Sequence, residues 1–498
     1  MTVHARGRVR RWGTRAVVAA AVVGLASVGL PGAAQAGGPG NWTQLSKNAA
    51  SGGYPKMVNI DQPTLLRLGD GLQVVWRGEN TTSSDSYRTA IVSTSGATTT
   101  PETTILTWAT LNDAPALASI GGTRWLGFGG LYNDDANHPY SQGQGYYLTS
   151  SDGVNWTLGD GTLSSSGAYA TSGLDIVDDG GQPLWVSNQW GTADGSAAQG
   201  IGFRIGVDPR VPIPGDEPDE FIGLPGCCAY AAAAARDTVT GQVFGGWYSN
   251  ADVTRGVYVA QVAPSAGDPV LAPFSRASGT NSLDPGQRLA MVARNGGGVY
   301  VVYRVGYPST SYLALWKVGT TRVLRVPGSR NAEFPSVSTG PGGRLWVSWV
   351  DRTGTDTVKA VRTNTSATRF GAVVGLRGPR LTDPIWHQVG DGAAGPLDVV
   401  VTASRGQAIN VYHSQLRPGL TVTVKPVKVP KRKSFVVSVT DAGSAVAGAK
   451  VKVFGKTFTT NAKGLVGLSV PFSAKKGANP ITVTKSGYAG AKASVRVI

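Results

Sequence analysis

Residues 333–351 read "EFPSVSTGPGGRLWVSWVD". Apolar and small residues alternate up to Thr339, "GPGG" turns the chain, and a second run ends in two tryptophans. This is a strand, a tight turn and a second strand. The same order recurs as "DQPTLLRLGDGLQVVWRG" from Asp61, "DAPALASIGGTRWLGFGG" from Asp113, "SGLDIVDDGGQPLWVSNQW" from Ser172 and "RLAMVARNGGGVYVVYRVG" from Arg288. An alanine-rich copy starts at Cys227, and a weaker, valine-rich one, "DPIWHQVGDGAAGPLDVVVTA", at Asp383. The starts lie near 63, 115, 173, 227, 288, 334 and 384, roughly 45 to 60 residues apart, a period of small antiparallel sheets arranged around an axis.

A four-stranded sheet with two apolar faces cannot stay exposed, so such units pack face to face until the ring closes. The pattern predicts an all-β chain with a seven-bladed β-propeller over residues 37–417; the atypical fourth repeat and the weak last one leave six blades as the alternative. Strand residues of "NWTQLSKN" (41–48) are expected to close the ring. With 69 glycines, 13 tryptophans and almost no helical periodicity, the composition agrees.

The two ends of the chain differ from this body. Residues 1–36 read as a secretory signal: arginines at 6, 8, 10, 11 and 15, the apolar "AVVAAAVVGLASVGL", and Ala34-Gln35-Ala36 before the cut. The expectation is an extracellular protein, its export route left open, with no later membrane-spanning segment. From 418 to 498 tryptophan disappears and period-two alternation sets in, which reads as a small β-sandwich. This segment holds 14 of the chain's 46 Lys and Arg against one acid, Asp441, so the formal charge of +16 is concentrated in the two ends. A basic module of this kind attracts an anionic cell-wall polymer; the alternative is a soluble sandwich whose lysines guard its edges. Nucleic acid is not expected, for want of aromatic residues and motifs, and the chain is expected to be a monomer.

In a closed ring, the leading ends of the inner strands meet at the axis. Those positions are Asp61 and Gln62, Asp113, Ser172, Cys227 and Cys228, Arg288, Glu333, and Asp383 with His387 nearby. Asp61, Asp113, Glu333 and Asp383 are therefore candidate acids and His387 a candidate base for chemistry on a glycosidic bond, while Gln62, Tyr230 and Arg288 are candidate ligand contacts. Carboxylates that merely cap turns are the other reading. No histidine pair has metal-ligand spacing, and no cofactor is expected; the acidic loops 132–140 and 175–181 are candidates for a structural calcium ion or are plain turns.

The only two cysteines, Cys227 and Cys228, are adjacent. In an oxidising setting a disulfide between them is expected. Neighbouring Cα atoms lie about 3.8 Å apart, whereas disulfides span about 4.4 to 6.8 Å, so the bond would be strained and would close no useful loop. A stiff apolar patch on the funnel wall, a kink without a ligand, and free or intermolecular thiols all stay open.

Ser150-Ser151-Asp152-Gly153-Val154-Asn155-Trp156 resembles the Asp-box of sialidase-like propellers, one residue shorter. The resemblance implies that fold over residues 40 to 416, with the box as a hairpin stabiliser. Sialidases proper carry an Arg-Ile-Pro at the first inner strand; here Asp61-Gln62-Pro63 stands in its place, so sialidase activity is not implied. The tail resembles carboxypeptidase-regulatory-like, immunoglobulin-like modules of secreted bacterial proteins, through "VAGAKVKVFG" and "TTNAKGLVGL". Together these imply a secreted, envelope-associated protein that binds carbohydrate or another polar ligand at the funnel, or alternatively a polysaccharide hydrolase or lyase.

Overall fold

The computed structural model describes residues 42–498 apart from 47–56, 61, 70, 81–84, 109, 132–144, 160–172, 191–197, 207–219, 226–228, 251–253, 277–286, 307–309, 381–383 and 406–407. The signal segment, Asp61, Cys227, Cys228, Asp383 and the 132–140 loop lie outside the described residues, as does the side chain of Asp113. Apart from one short 3-10 turn, Pro341–Gly343, every regular element described is a strand. No helix among them is long and apolar enough to cross a membrane.

From Thr43 to Leu416 the described strands form antiparallel sheets, most of them four-stranded, in the architecture of a β-propeller. Their innermost strands are Thr64–Arg67, Thr110–Ile120, Leu174–Asp178, Ala229–Arg236, Ala290–Ala293, Ala332–Gly340 and Ile385–Asp391. Each touches the next, and the last touches the first, so the series is a closed ring. The turn "GPGG" joins the first two strands of its sheet because Gly342 and Gly343 both take positive φ, 67° and 77°. A Cβ on Gly343 would sit 2.6 Å from the Asn295 carbonyl oxygen.

Packing explains the nearly continuous apolar runs. A strand whose sheet is sandwiched between two others has no solvent face, so alternation gives way to runs such as Val74-Val75-Trp76, all fully buried. Val74 and Trp76 point one way, onto Val389, Val400 and Val411 of the last sheet. Val75 points the other way, onto Leu126 and Phe128 of the second. The same two-sided burial repeats around the ring, as where Trp349 meets Val302 and Trp346 meets Val399.

Closure uses the chain start, as the sequence suggested. Thr43–Gln44 pairs antiparallel with Ala408–Leu416, placing Thr43 opposite His413 and Gln44 opposite Tyr412. Gln44 Nε2 and Ser46 Oγ both donate to Asn410 Oδ1, at 3.1 Å each.

Beyond Leu416 two further sheets enclose one core that includes Val437, Val451, Ile481 and Val495. This unit is fastened to the ring through its single acid. Asp441 is buried, paired with Arg362 and 3.7 Å from Arg344. The Arg362 guanidinium lies over the rings of Trp346 and Tyr488, 5.7 Å from each centroid. Gly419 bridges to Ala372 on one side and Ala489 on the other.

Removing one partner of a buried pair leaves an uncompensated charge, which costs about 3 to 5 kcal/mol. Asp441→Ala should therefore uncouple the C-terminal unit, seen as a separate low-temperature transition in calorimetry and as new proteolysis near Pro418. A single unchanged transition would show that the pair does not hold the two parts together.

Candidate functional site

Four of the seven inner strands share an irregularity at their leading ends. Register slips between Asn112 and Ala116, Tyr230 and Ala233, Glu333 and Ser336, and Ile385 and His387. Pro115 and Pro335 sit in such bulges, where a missing N–H costs no ladder bond. Ala231 and Phe334 adopt positive φ, 60° and 48°, a strained conformation for side-chain-bearing residues. Bulges free backbone groups from the ladder, and buried groups so freed need new partners.

Polar side chains from neighbouring sheets supply them. Thr64 Oγ1 donates to Pro115 O at 2.5 Å, Gln287 Nε2 to Pro335 O at 3.0 Å and Gln388 Nε2 to Phe334 O at 2.6 Å. The Ala232 amide donates to Asn188 Oδ1 at 3.0 Å. Arg288 does most of all. Its Nη2 donates to the carbonyls of Ala114, Pro115 and Leu174 at 3.2, 3.1 and 3.0 Å, and its amide donates to Gln62 Oε1 at 2.6 Å. One residue thus links the first, second, third and fifth sheets across the axis. Gln62 and Arg288, both expected as ligand contacts, are committed here to each other and to the backbone.

Asp175, on the third inner strand, lies 3.7 Å from Arg288 Nη1 and accepts from the amides of Ala234 at 2.8 Å and Ile176 at 3.0 Å. Burial pushes its carboxyl above the ordinary carboxylate range, against the opposing pull of Arg288 and the two amides. The axial cavity that these residues border measures about 250 Å³ and runs on past Ser336 to Asp391. At its far end Arg67 Nε donates to Asp391 Oδ1 at 2.7 Å, and Arg67 Nη2 reaches Asp398 Oδ2 at 2.5 Å. His413 sits 2.9 Å from the other Asp398 oxygen.

A second constellation lies on the rim between the sixth and seventh sheets. Glu333 is paired with Arg352, whose Nη1 donates to Asp356 Oδ2 and Nη2 to Ile385 O, both at 2.7 Å. The Ile385 amide donates to Asp356 at 2.8 Å. The Phe334 ring is flanked by the Arg352 guanidinium at 5.4 Å and the His387 ring at 5.2 Å. Between Ile385 and His387 the bulge turns Trp386 outward, 48% exposed, while its neighbour Ile385 is fully buried. It is the one exposed tryptophan among the described residues. The sequence placed Glu333 and His387 near one another; it missed Trp386, although a tryptophan beside a buried isoleucine on a leading strand end must alternate outward.

Tyr230 is part-buried and packs against the core containing Tyr248 and Val257. In loop 175–181, Asp178 Oδ1 accepts the Gly181 amide at 2.6 Å and Asp179 lies 3.5 Å from Arg236. Among the described residues no three His, Cys, Asp or Glu side chains gather as a metal site would. In the 150–156 hairpin, Asp152 Oδ1 accepts the amides of Val154 and Asn155 at 2.8 Å each, which hold its carboxyl far below the usual range. Trp156 Nε1 donates to Gly153 O at 3.0 Å, the same carbonyl that Gln73 reaches from the first sheet at 2.8 Å.

No protein-family model matches the chain, and no curated protein matches it. Solved structures do. The chain is similar to a protein of unknown function from Dyadobacter fermentans DSM 18053, 11% identical, covering 76% of this chain and 97% of that one with a TM-score of 0.44. It is also similar to the polysaccharide lyase Uly1, 10% identical, covering 73% and 91% with a TM-score of 0.43. A third is the six-bladed β-propeller lectin of Aleuria aurantia, which recognises fucose: 12% identical, 72% and 93% covered, TM-score 0.37.

Arg288→Met keeps the aliphatic stem and removes the donors. The Ala114 and Leu174 carbonyls then lose the donor that reaches them, while Pro115 keeps Thr64, so unfolding free energy should fall by about 1 to 3 kcal/mol in urea titration. A change within about 0.5 kcal/mol would mean that the axis is not held by this side chain. For Asp175 linkage fixes the sign. A carboxyl whose folded pKa lies above its unfolded value stabilises the fold at pH below the ordinary carboxyl range, and that contribution is lost as pH rises through the raised value. Relative to Asp175→Asn, the wild type should lose melting temperature between acid and neutral pH; a flat difference would contradict the buried, raised carboxyl.

Proposed function

We propose that this protein is a secreted, cell-envelope-associated carbohydrate-binding protein: a seven-bladed propeller of the sialidase-like, Asp-box type, residues 37–417, carrying an immunoglobulin-like sandwich, residues 418–498. Seven sheets and seven inter-sheet cores support the blade count. The turn-amide bonds of Asp152 support the Asp-box reading. The paired sheets around one core support the sandwich.

The observation that carries the ligand class is the exposed Trp386, which follows the Ile385 whose carbonyl Arg352 holds, together with the partly exposed Glu333–Arg352 pair. An indole face covers the C–H face of a sugar ring, and a guanidinium and carboxylate held in fixed orientation offer donors and acceptors to its hydroxyls. The recognition site is therefore the rim between the sixth and seventh sheets, with His387 and Phe334 as its floor. The described carboxylates there, Glu333 and Asp356, both serve Arg352, which favours binding over acid–base chemistry needing two carboxylates across a substrate. Cys227 and Cys228 fall between the strand ending at Pro225 and the one starting at Ala229, and we retain a vicinal disulfide there as a second contact surface.

An array of immobilised neutral and acidic oligosaccharides tests this. Wild type should bind a defined subset, and Trp386→Ala should weaken that binding at least about tenfold while the variant remains folded by circular dichroism. No glycan bound by wild type, or equal binding by the variant, would overturn the reading. Loss of binding under mild reduction would support a role for the cysteine pair.

A further inference from the structure

Five of the 14 Lys and Arg of residues 418–498 share one sheet face of the C-terminal unit. Its larger sheet contains Lys428–Val429, Ala491–Val497, Gly477–Thr484, Lys450–Val453 and Lys456–Thr459, in that order. Alternation turns Val429, Val451, Val483, Val495 and Val497 into the core and sends Lys428, Lys450, Lys452, Lys492 and Arg496 outward, all exposed. The register places Lys452 and Lys492 on either side of Thr482, and Lys450 beside Thr484 and Thr459. Lys428 lies directly opposite Arg496. The outward face of the smaller sheet, by contrast, carries Ser434, Ser438, Thr423 and Val436 with Lys425 as its lone cation.

Like charges directly opposite one another destabilise a sheet, so a face of five cations calls for counter-charge. The unit cannot provide it. Its only acidic side chain, Asp441, is buried against Arg362 and Arg344 at the junction with the ring. Between the cations the face offers threonine and serine hydroxyls, with no aromatic side chain among its outward positions. A face that enters a bilayer combines cations with aromatic or aliphatic residues, and one that binds single-stranded nucleic acid adds rings for stacking. Adjacent strands are about 4.8 Å apart and alternate residues about 6.6 Å apart along a strand, so the ammonium groups form an open, flat grid rather than a pocket. Lysine ammonium groups bind phosphate as point charges and so tolerate the varied orientations of a flexible polymer.

We propose that this sheet face binds a linear phosphodiester polymer with an aliphatic backbone, through Lys428, Lys450, Lys452, Lys492 and Arg496 and the hydroxyls between them. It specifies the partner of the envelope attachment proposed above and rests on that reading. Neutralisation of polymer phosphates releases counterions, so affinity should follow salt steeply. At about 0.7 per contact, five contacts give a log–log slope near −3.5, an affinity loss of roughly 100-fold between 50 and 200 mM salt.

The test uses the full chain and poly(glycerol phosphate) on a sensor surface. Wild type should show the steep slope. The double variant Lys452→Gln/Lys492→Gln should bind at least about tenfold more weakly at 50 mM salt, with a slope shallower by about 1.4. The double variant Lys425→Gln/Lys463→Gln, on the smaller sheet and the turn before its strand Leu465–Ser469, should bind as wild type does. Equal losses in both pairs would overturn the assignment to this face. Tighter binding to phosphatidylglycerol vesicles, to single-stranded nucleic acid or to polygalacturonate than to poly(glycerol phosphate) would overturn the choice of partner. Trp386→Ala should leave polymer binding intact, so failure of the sugar site and failure of this face give different results.

Discussion

The guanidinium of Arg288 stands where the leading ends of the inner strands meet. A ring of sheets brings those ends together, with the carbonyls of Ala114, Pro115 and Leu174 turned toward the axis. Unpartnered, each would cost about 1 to 3 kcal/mol. One planar donor group reaching three of them, helped by Thr64, Gln287 and Gln388, turns a vulnerable centre into the place where the sheets are tied together. The leading ends around Arg288 are thereby given to structure, while at the leading ends of the sixth and seventh inner strands, where we propose recognition, the bulge at Trp386 presents an aromatic ring to solvent.

The period of the sequence made the architecture readable. Starts inferred near 63, 115, 173, 334 and 384 fall within two residues of observed inner strands, because a twice-buried strand must be apolar on both faces and must be followed by a turn. The copy near Arg288 is also correctly located, its strand beginning at Ala290. What stayed hidden depends on side-chain direction and on bulges. The sequence named Arg288 as a ligand contact because it stands at the leading end of an inner strand; only the geometry reveals three carbonyls from residues more than a hundred positions away. Asp175 was visible only as part of an acidic turn, since its burial comes from the fourth sheet packing over it. Trp386 was passed over for the titratable residues around it.

The tail shows the same division. Its alternation and its lysines were plain in the sequence, but which sheet each lysine faces follows from strand order. That Asp441 is withdrawn to the junction follows from a partner 79 positions earlier, Arg362. The pairing sets the basic face and the rim tryptophan on one body rather than on a flexible leash. Held at a fixed separation, the two proposed contacts would reinforce each other only where one surface offers both ligands within reach.

The most direct test of this division between a structural axis and a recognising rim is a crystal structure of the protein soaked with the oligosaccharide it binds best. The account predicts sugar density stacked on the Trp386 indole and bonded to Arg352 and Glu333, with Arg288 still on its three carbonyls. Sugar on the axis, with Arg288 swung away from Ala114, Pro115 and Leu174, would contradict it.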